Sequence, residues 1–226
     1  MDIRKTYLDY FTKNGHLQML SASLIPVDDP SVLLTTAGMQ QFKPYYLGME
    51  KPPKNRIVTV QKCFRTSDID RVGYSDQHLT FFEMLGNFAF ADYFKKEAIN
   101  FAADFILNIL KIRIEKLSVG VFAGEGKIPE DKEAMQLWIK HGIGEGRIYK
   151  FGKSENFWGP AGDTGPCGPC TEIYYDFGKE DEISLIVEKI KSEADKYKSR
   201  IKILKVKKAG EIAPYKYRFR VDFKVI

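Results

Sequence analysis

The first place to look for chemistry in this 226-residue chain is Cys167-Gly-Pro-Cys170, which has the spacing of a metal knuckle or a redox turn. A tetrahedral zinc site needs four nitrogen or sulfur ligands, and no second CxxC or paired His completes the set. A redox CxxC should open a helix, whereas Thr171 to Phe177 reads as a strand, so the segment reads as a turn that holds two cysteines. His16, His78 and His141 stand far apart and form no ligand pattern. "GIGEGR" (142 to 147) satisfies a bare Gly-x-Gly-x-x-Arg pattern, yet it lies between a helix end and the short strand "RIYKF" and reads as a helix-stop loop. "AGEGK" (123 to 127) lacks P-loop spacing.

What remains is an arrangement of residues. Arg65 closes the alternating, β-branched run "RIVTVQKCFR" (56 to 65), a polar stretch "TSDIDRVGYSDQ" follows, and then comes "DQHLTFFEMLGNFAF" (76 to 90), in which His78, Glu83 and Asn87 stand among phenylalanines. On a strand Phe81 and Phe82 point to opposite faces, and Glu83 shares the face of Phe81. Much later comes "ENFWGPAGDTGPCGPCTEIYYD", which holds Trp158 and Glu172.

These groups need elements to hold them. Residues 56 to 65 and the Phe-rich stretch predict two strands of an antiparallel hairpin with a long loop. Ile3, Tyr7, Leu8, Tyr10 and Phe11 mark one face of an opening helix, and Val32, Leu33 and Leu34 predict a short strand. "KKEAINFAADFILNILK" (95 to 111) predicts a helix facing the core through Ile99, Ala102, Phe105, Ile106 and Ile109. "LSVGVFAG" reads as a strand, "EDKEAMQLWIKH" as a helix and "TEIYYDF" as a strand. The sum is α+β: an antiparallel sheet flanked by helices. From residue 179 the style changes, with a helix over 181 to 198, "RIKILKVKK", and "YKYRFRVDFKV" (215 to 225) alternating apolar and charged residues. The expected organisation is a core over 1–178 and a basic helix-plus-hairpin tail over 179–226.

Composition narrows the class. With 44% hydrophobic and 29% charged residues, neither disorder nor a fibrous chain fits. No apolar run nears the roughly 18 residues of a membrane span. "MDIRKTYLDY" lacks a signal-peptide core, and three Cys suit a reducing compartment, so a soluble cytoplasmic protein is expected. Residues 181 to 226 hold 13 Lys+Arg against 7 Asp+Glu, while the rest holds 22 against 23. The positive charge therefore sits in the tail, as a solvated face or as a surface for an anionic partner such as RNA.

"YFTKNGH", "LLTTAGMQQFKPYYLG", "TFFEMLGNF", "DYFKKEAI" and "NFWGPAGDTGPCGPCTEIYYD" together resemble the amino-terminal catalytic domain of the alanyl-tRNA synthetases, a family of class II aminoacyl-tRNA synthetases. The resemblance runs in order from about residue 3 to 178. It implies a class II-like sheet, incomplete here, and an alanine-tRNA ligase chemistry. Alanine attacks the α-phosphorus of ATP, pyrophosphate leaves, and alanine then passes to tRNA. On this likeness Arg65 matches the motif-2 arginine, holding the α-phosphate and the alanine carboxylate, with a surface ion pair as its rival reading. Trp158 would wall the nucleotide and amino-acid site, with a plain core Trp as its rival. One of Phe81 and Phe82 would face the nucleotide, and Glu83 would accept from the adenine amino group or orient Arg65. Magnesium is implied with the phosphates, and Glu172 is one candidate to hold it.

The chain departs from the family pattern twice. Leu79 stands where the family keeps a His that contacts ATP, a loss of ~1 to 3 kcal/mol if nothing replaces it. Residues 179–226 contain neither the family's later Asn-bearing strand, nor the Asp that binds the alanine amino group, nor motif 3. Three readings stay open: a working alanine-tRNA ligase, completed if need be by a second polypeptide; a non-catalytic nucleotide- or RNA-binding relative; and a gene fragment without selected activity.

Overall fold

Helix α1 (Ile3–Lys13) begins at Asp2, whose carboxylate accepts the Lys5 backbone N–H at 3.2 Å. It ends at Gly15, whose φ of +84° lets the chain turn inward so that His16 becomes buried. The computed structural model describes all residues except 28, 30–31, 68, 74–77, 160–165, 177–178, 197–200, 214–215 and 226. It divides into two compact units, Met1–Tyr174 and Tyr175–Ile226.

In the first unit β1 (Leu17–Met19) runs parallel to β2 (Arg56–Phe64), placing Leu17 beside Ile57. Between them lie a loop, a 3₁₀ turn (Gln40–Phe42) and the short α2 (Lys43–Tyr46). Strand β3 (Phe81–Ala89) pairs antiparallel with β2 in an unbroken register from Arg56↔Ala89 to Phe64↔Phe81. The expected hairpin is thus present. The strand expected at Val32 to Leu34 is absent: the backbone bends there and Leu33 is 92% exposed. Thr35 instead closes the loop on itself, donating from its amide to Leu24 O (2.8 Å) and from its hydroxyl to Ser23 O (2.8 Å).

Helix α3 (Lys95–Asp104) buries Ile99 and Ala103, then widens into a π turn over Phe105–Ile109 that the α-helical period did not anticipate. The Leu110 N–H reaches back to Phe105 O at 2.9 Å. The extra residue in that turn rotates the face, so Ile109, expected in the core, is left 39% exposed. A second sheet has β4 (Leu117–Phe122), buried along its whole length, at its centre. Helix α4 (Lys132–Lys140) packs Ala134 and Trp138 onto it with Ile99 and Ala103 of α3. β5 (Ile148–Phe151) runs parallel to β4 on one side. The short α5 (Lys153–Asn156) leads to β6 (Phe157–Trp158), paired antiparallel with β7 (Gly168–Pro169), and β8 (Glu172–Tyr175) flanks β4 on the other side. The class is α+β as read, with the β1–β2 and β4–β5 pairs parallel rather than antiparallel.

The second unit holds α6 (Lys179–Lys196) and an antiparallel hairpin of β9 (Ile201–Ala213) and β10 (Lys216–Val225). The expected alternation of apolar and basic faces along 215 to 225 lies outside the described residues.

A partly buried chain of hydrogen bonds joins α1 to β3. Tyr7 OH donates to Asn87 Oδ1 (2.8 Å), Asn87 Nδ2 donates to Tyr93 OH (2.9 Å), and Tyr93 meets His16 Nε2 at 2.8 Å. His16 Nδ1 lies 3.0 Å from Phe11 O. A carbonyl can only accept, so Nδ1 carries a proton, and in the neutral ring Nε2 accepts from Tyr93. Burial lowers the His16 pKa, and the nearby Arg56 charge adds to the effect. The unfolded chain therefore binds a proton more readily than the folded one below the ordinary pKa of 6.5. Stability from this site is full above that value and is lost as pH falls toward the lowered folded pKa. The thermal midpoint should drop on going from pH 7.5 to 5.5, and His16→Gln should flatten that dependence; parallel profiles for the two chains in calorimetry would contradict it.

Candidate functional site

Strand alternation gives the β2–β3 hairpin two faces, and each is committed to a different partner. On one, Val58 and Leu85 pack against Tyr7, Tyr10 and Phe11 of α1. On the other, Ile57, Thr59, Gln61 and Cys63 are fully buried beside Phe88, Gly86, Met84 and Phe82. This second face is roofed by Ala22, Gly38, Gln41 and Phe42. Gln61 ties the roof down: its Oε1 accepts from the Ala22 N–H (2.8 Å) and from Gln41 Nε2 (2.7 Å), and its Nε2 donates to Ala22 O (3.1 Å).

Arg65 follows β2 directly, and its backbone N–H donates to Thr80 O (2.8 Å), closing the hairpin. Its side chain is held twice. Nε donates to Thr36 O at 2.8 Å, and the guanidinium lies over the Phe82 ring at 5.3 Å. With Nε engaged, the two terminal nitrogens, which make no hydrogen bond among the described residues, have the fork geometry that suits carboxylate or phosphate.

Further along the same face opens a cavity of about 350 Å³ lined by Ala37, Met39, Met84, Gly86, Phe88 and Trp158. Gly38 N–H points at Met84 Sδ (3.2 Å) and fixes that wall. Trp158 is 43% exposed at the rim, whereas the other tryptophan, Trp138, is buried and donates from Nε1 to Thr171 Oγ1 at 2.9 Å. A fixed cation on the same strand face as a half-open apolar cavity with a flat indole wall suits an oxyanion that carries a small apolar group.

Arg65 and Trp158 thus line the same side of the hairpin, and the aromatic against Arg65 is Phe82. Phe81 and Glu83 fall on the opposite face, with Leu85 and Asn87, because they are odd-numbered on β3. Glu83 is hydrogen-bonded to Arg4 of α1, and the partner of the Arg65 Nε is Thr36 rather than Glu83. Leu79 is 59% exposed where the chain enters β3, and His78 is half-buried.

Glu172 is exposed, with the Cys170 thiol 3.5 Å from its Oε1. Burial, and then the Glu172 charge, push the Cys170 thiol up to about 11, so it stays protonated. Cys167 and Cys170 are free thiols, and among the described residues no group of three His, Cys, Asp or Glu converges to hold a metal. Magnesium requires oxygen donors in a near-octahedral shell. One exposed carboxylate beside a thiol does not fit that need.

Several residues of the site escaped the sequence reading: Thr36, whose carbonyl holds Arg65; Gly86; and, beneath Trp158, Gly120 and Asn156. The two glycines interrupt strands, which is the signal that marks a close approach. A Cβ on Gly86 would lie 2.7 Å from the Phe88 ring. That ring is already packed against Phe42 (centroids 4.8 Å apart), so it cannot yield on that side. Gly86→Ala should destabilise the fold by about 1 to 3 kcal/mol, the usual cost of overpacking, in urea unfolding; unchanged stability would show that the ring has another exit.

Comparison with known proteins gives a consistent result. The family described as tRNA synthetases class II (A) matches residues 2–211, reaching past 178 into α6 and β9. The alanine–tRNA ligase of Rubrobacter xylanophilus is 58% identical over 179 residues, covering 79% of this chain and 20% of that protein. That of Dehalococcoides mccartyi is 55% identical over 179 residues, again 79% of this chain and 20% of the relative. That of Caldicellulosiruptor saccharolyticus is 53% identical over 178 residues, 78% of this chain and 19% of the relative. The chain spans about a fifth of the length of the curated relatives it matches.

Proposed function

The chain belongs to the class II (A) tRNA synthetase family, and on that premise we propose that it carries the part of an alanine–tRNA ligase site that binds ATP and alanine and forms alanyl-adenylate. The observation that carries this reading is Arg65, clamped by Thr36 O and Phe82 on the face that opens into the cavity walled by Trp158.

In the reaction an alanine carboxylate oxygen attacks the α-phosphorus, the bond to the bridging oxygen of the β-phosphate breaks, and pyrophosphate leaves. A tRNA ribose hydroxyl then attacks the acyl carbon, and AMP departs. Negative charge grows on the α-phosphate during the first step. A guanidinium that is already oriented does not have to reorganise when that charge appears, so it favours the transition state over the ground state. Arg65 fills that role, Phe82 supports its plane, and the apolar cavity takes the alanine methyl group and one face of the adenylate against Trp158. Magnesium enters as the counter-ion that ATP brings with its phosphates. Alanine and ATP are the proposed small-molecule substrates and tRNA the acceptor, acting in the cytoplasm, where no membrane-spanning helix is needed; among the described residues none is long and apolar enough to cross a membrane. The groups that read the alanine ammonium and the γ-phosphate are proposed to come from a second polypeptide or from sequence beyond these residues.

A second reading, a nucleotide- or RNA-binding relative without catalysis, is favoured by Leu79. It is exposed at the mouth of the hairpin and offers a phosphate no donor. Gly142 to Arg147 cannot stand in for motif 3, because it forms a 3₁₀ turn after α4 rather than opening a helix.

Alanine-dependent exchange of pyrophosphate into ATP separates the two readings. Exchange is the expected result, and Arg65→Ala should remove it, with Arg65→Lys recovering little because an ammonium lacks the fork. Binding of an alanyl-adenylate analogue without exchange would favour the second reading, and exchange untouched by Arg65→Ala would overturn the site. Leu79→His should tighten ATP binding by about tenfold, the worth of one added hydrogen bond to a charged group; calorimetric titration checks it.

A further inference from the structure

Trp158 has an insecure seat for a residue that walls a site. Its indole makes no hydrogen bond among the described residues and is 43% exposed, and β6–β7, the ribbon that carries it, is two residues long on each strand. Two paired residues do not stabilise themselves in water. Something else must hold the ribbon.

The residue before the ribbon is Asn156, and it is completely buried. Its backbone carbonyl accepts from the Cys170 N–H at 3.0 Å, and its side-chain Nδ2 donates to Cys170 O at 3.1 Å. One residue therefore grips the far strand through both its main chain and its amide, across the register Phe157↔Pro169 and Trp158↔Gly168. The amide fits there because β4, buried along its whole length, has a glycine near its centre. A Cβ at Gly120 would lie 2.7 Å from Asn156 Oδ1 and 3.3 Å from Nδ2. Glycine inside a buried strand costs conformational entropy and leaves a gap in the packing, and the close approach of the Asn156 amide accounts for both. The next residue of the far strand is anchored to the same glycine: Thr171 Oγ1 donates to Gly120 O at 2.7 Å and itself accepts from Trp138 Nε1.

We propose that Asn156 is the positioning residue of the site: seated in the slot left by Gly120, it clamps the Trp158 ribbon to the rigid central strand β4 and so sets the indole against the cavity. Asn156 does not touch the cavity, so it acts only through Trp158. Burial makes the clamp firm, because a buried amide that lets go of the Cys170 carbonyl leaves donor and acceptor both unpaired. The inference about position stands on the geometry alone, while its effect on ligand binding rests on the function proposed above.

The chain contains two tryptophans, Trp138 and Trp158, so 5-fluorotryptophan incorporation gives two ¹⁹F resonances, assigned with Trp158→Phe. Asn156→Ala removes the amide grip, and Gly120→Ala fills the slot from the other side without altering Asn156. Both should shift or broaden the Trp158 resonance, and Asn156→Ala should leave that of Trp138 in place while unfolding stays cooperative. A Trp158 resonance unmoved in both variants overturns the proposal. If neither variant folds, the unmodified chain decides: the Cys170 amide should exchange with solvent as slowly as those of β4, and free exchange there overturns it equally. In the binding arm, a sulfamoyl analogue of alanyl-adenylate should bind both variants about tenfold more weakly, as a misplaced wall of a site predicts; equal affinity counts against the proposal. If the unmodified chain fails to bind the analogue, the functional reading falls, and the resonance of Trp158 still decides the role of Asn156.

Discussion

The nine paired positions between β2 and β3 are the constraint on which the rest of the first unit depends. Because side chains alternate along a strand, this register sends Val58 and Leu85 to the aromatic cluster under α1 and sends Thr59, Gln61, Cys63, Met84 and Phe88 to the cavity side. A slip of one residue would exchange the two sets, taking the buried amide of Gln61 away from Ala22 and Gln41 and exposing apolar surface on both faces. The two faces enforce each other: the hydrogen-bond chain from Tyr7 through Asn87 and Tyr93 to His16 can close only when Asn87 points toward α1. Arg65 inherits its place from the same register, since it is the first residue beyond the paired segment and its amide closes the hairpin on Thr80.

Around that frame the site is shaped by two exchanges of a small residue for a large neighbour. Gly86 lets the Phe88 ring lie across β3, so a ring wedged against Phe42 forms the cavity floor. Gly120 lets Asn156 sink into β4, so a polar residue becomes the anchor of an otherwise weak ribbon. In each case a strand gives up the packing of one side chain, and a neighbour gains a fixed position through close contact with backbone. The groups fixed in this way, Phe88 on one sheet and Trp158 beside the other, bound the cavity.

Much of the architecture was legible in the order of residue types. Period-two alternation marked β2 and β3, helical spacing marked α1 and α4, and the polar stretch between the two strands marked the hairpin loop, because these patterns report local geometry directly. The apolar triplet at Val32 to Leu34 misled, since its local pattern suits a strand but among the described residues no strand pairs with it. The π turn at Phe105–Ile109 was illegible for a related reason: Phe105 packs against Tyr7 and Tyr10, far away in the chain, while the spacing of apolar residues remained helical.

By itself the sequence determined the α+β class, the family, and the placement of Arg65 at a strand end, each of which depends on residue types close together along the chain or on motifs in order. The tertiary structure alone decided which face of β3 meets Arg65 and the cavity. Alternation separates Phe81 and Glu83 from Phe82 and Met84, but it carries no sign, and the sign came from Arg4, bonded to Glu83 across 79 residues, and from the roof that Gln61 holds over the other face. The parallel pairing of β4 with β5 and the meeting of Asn156 with Gly120 belong to the same class of fact. They are contacts between distant segments, and a linear pattern records what each segment can do without recording what it will meet.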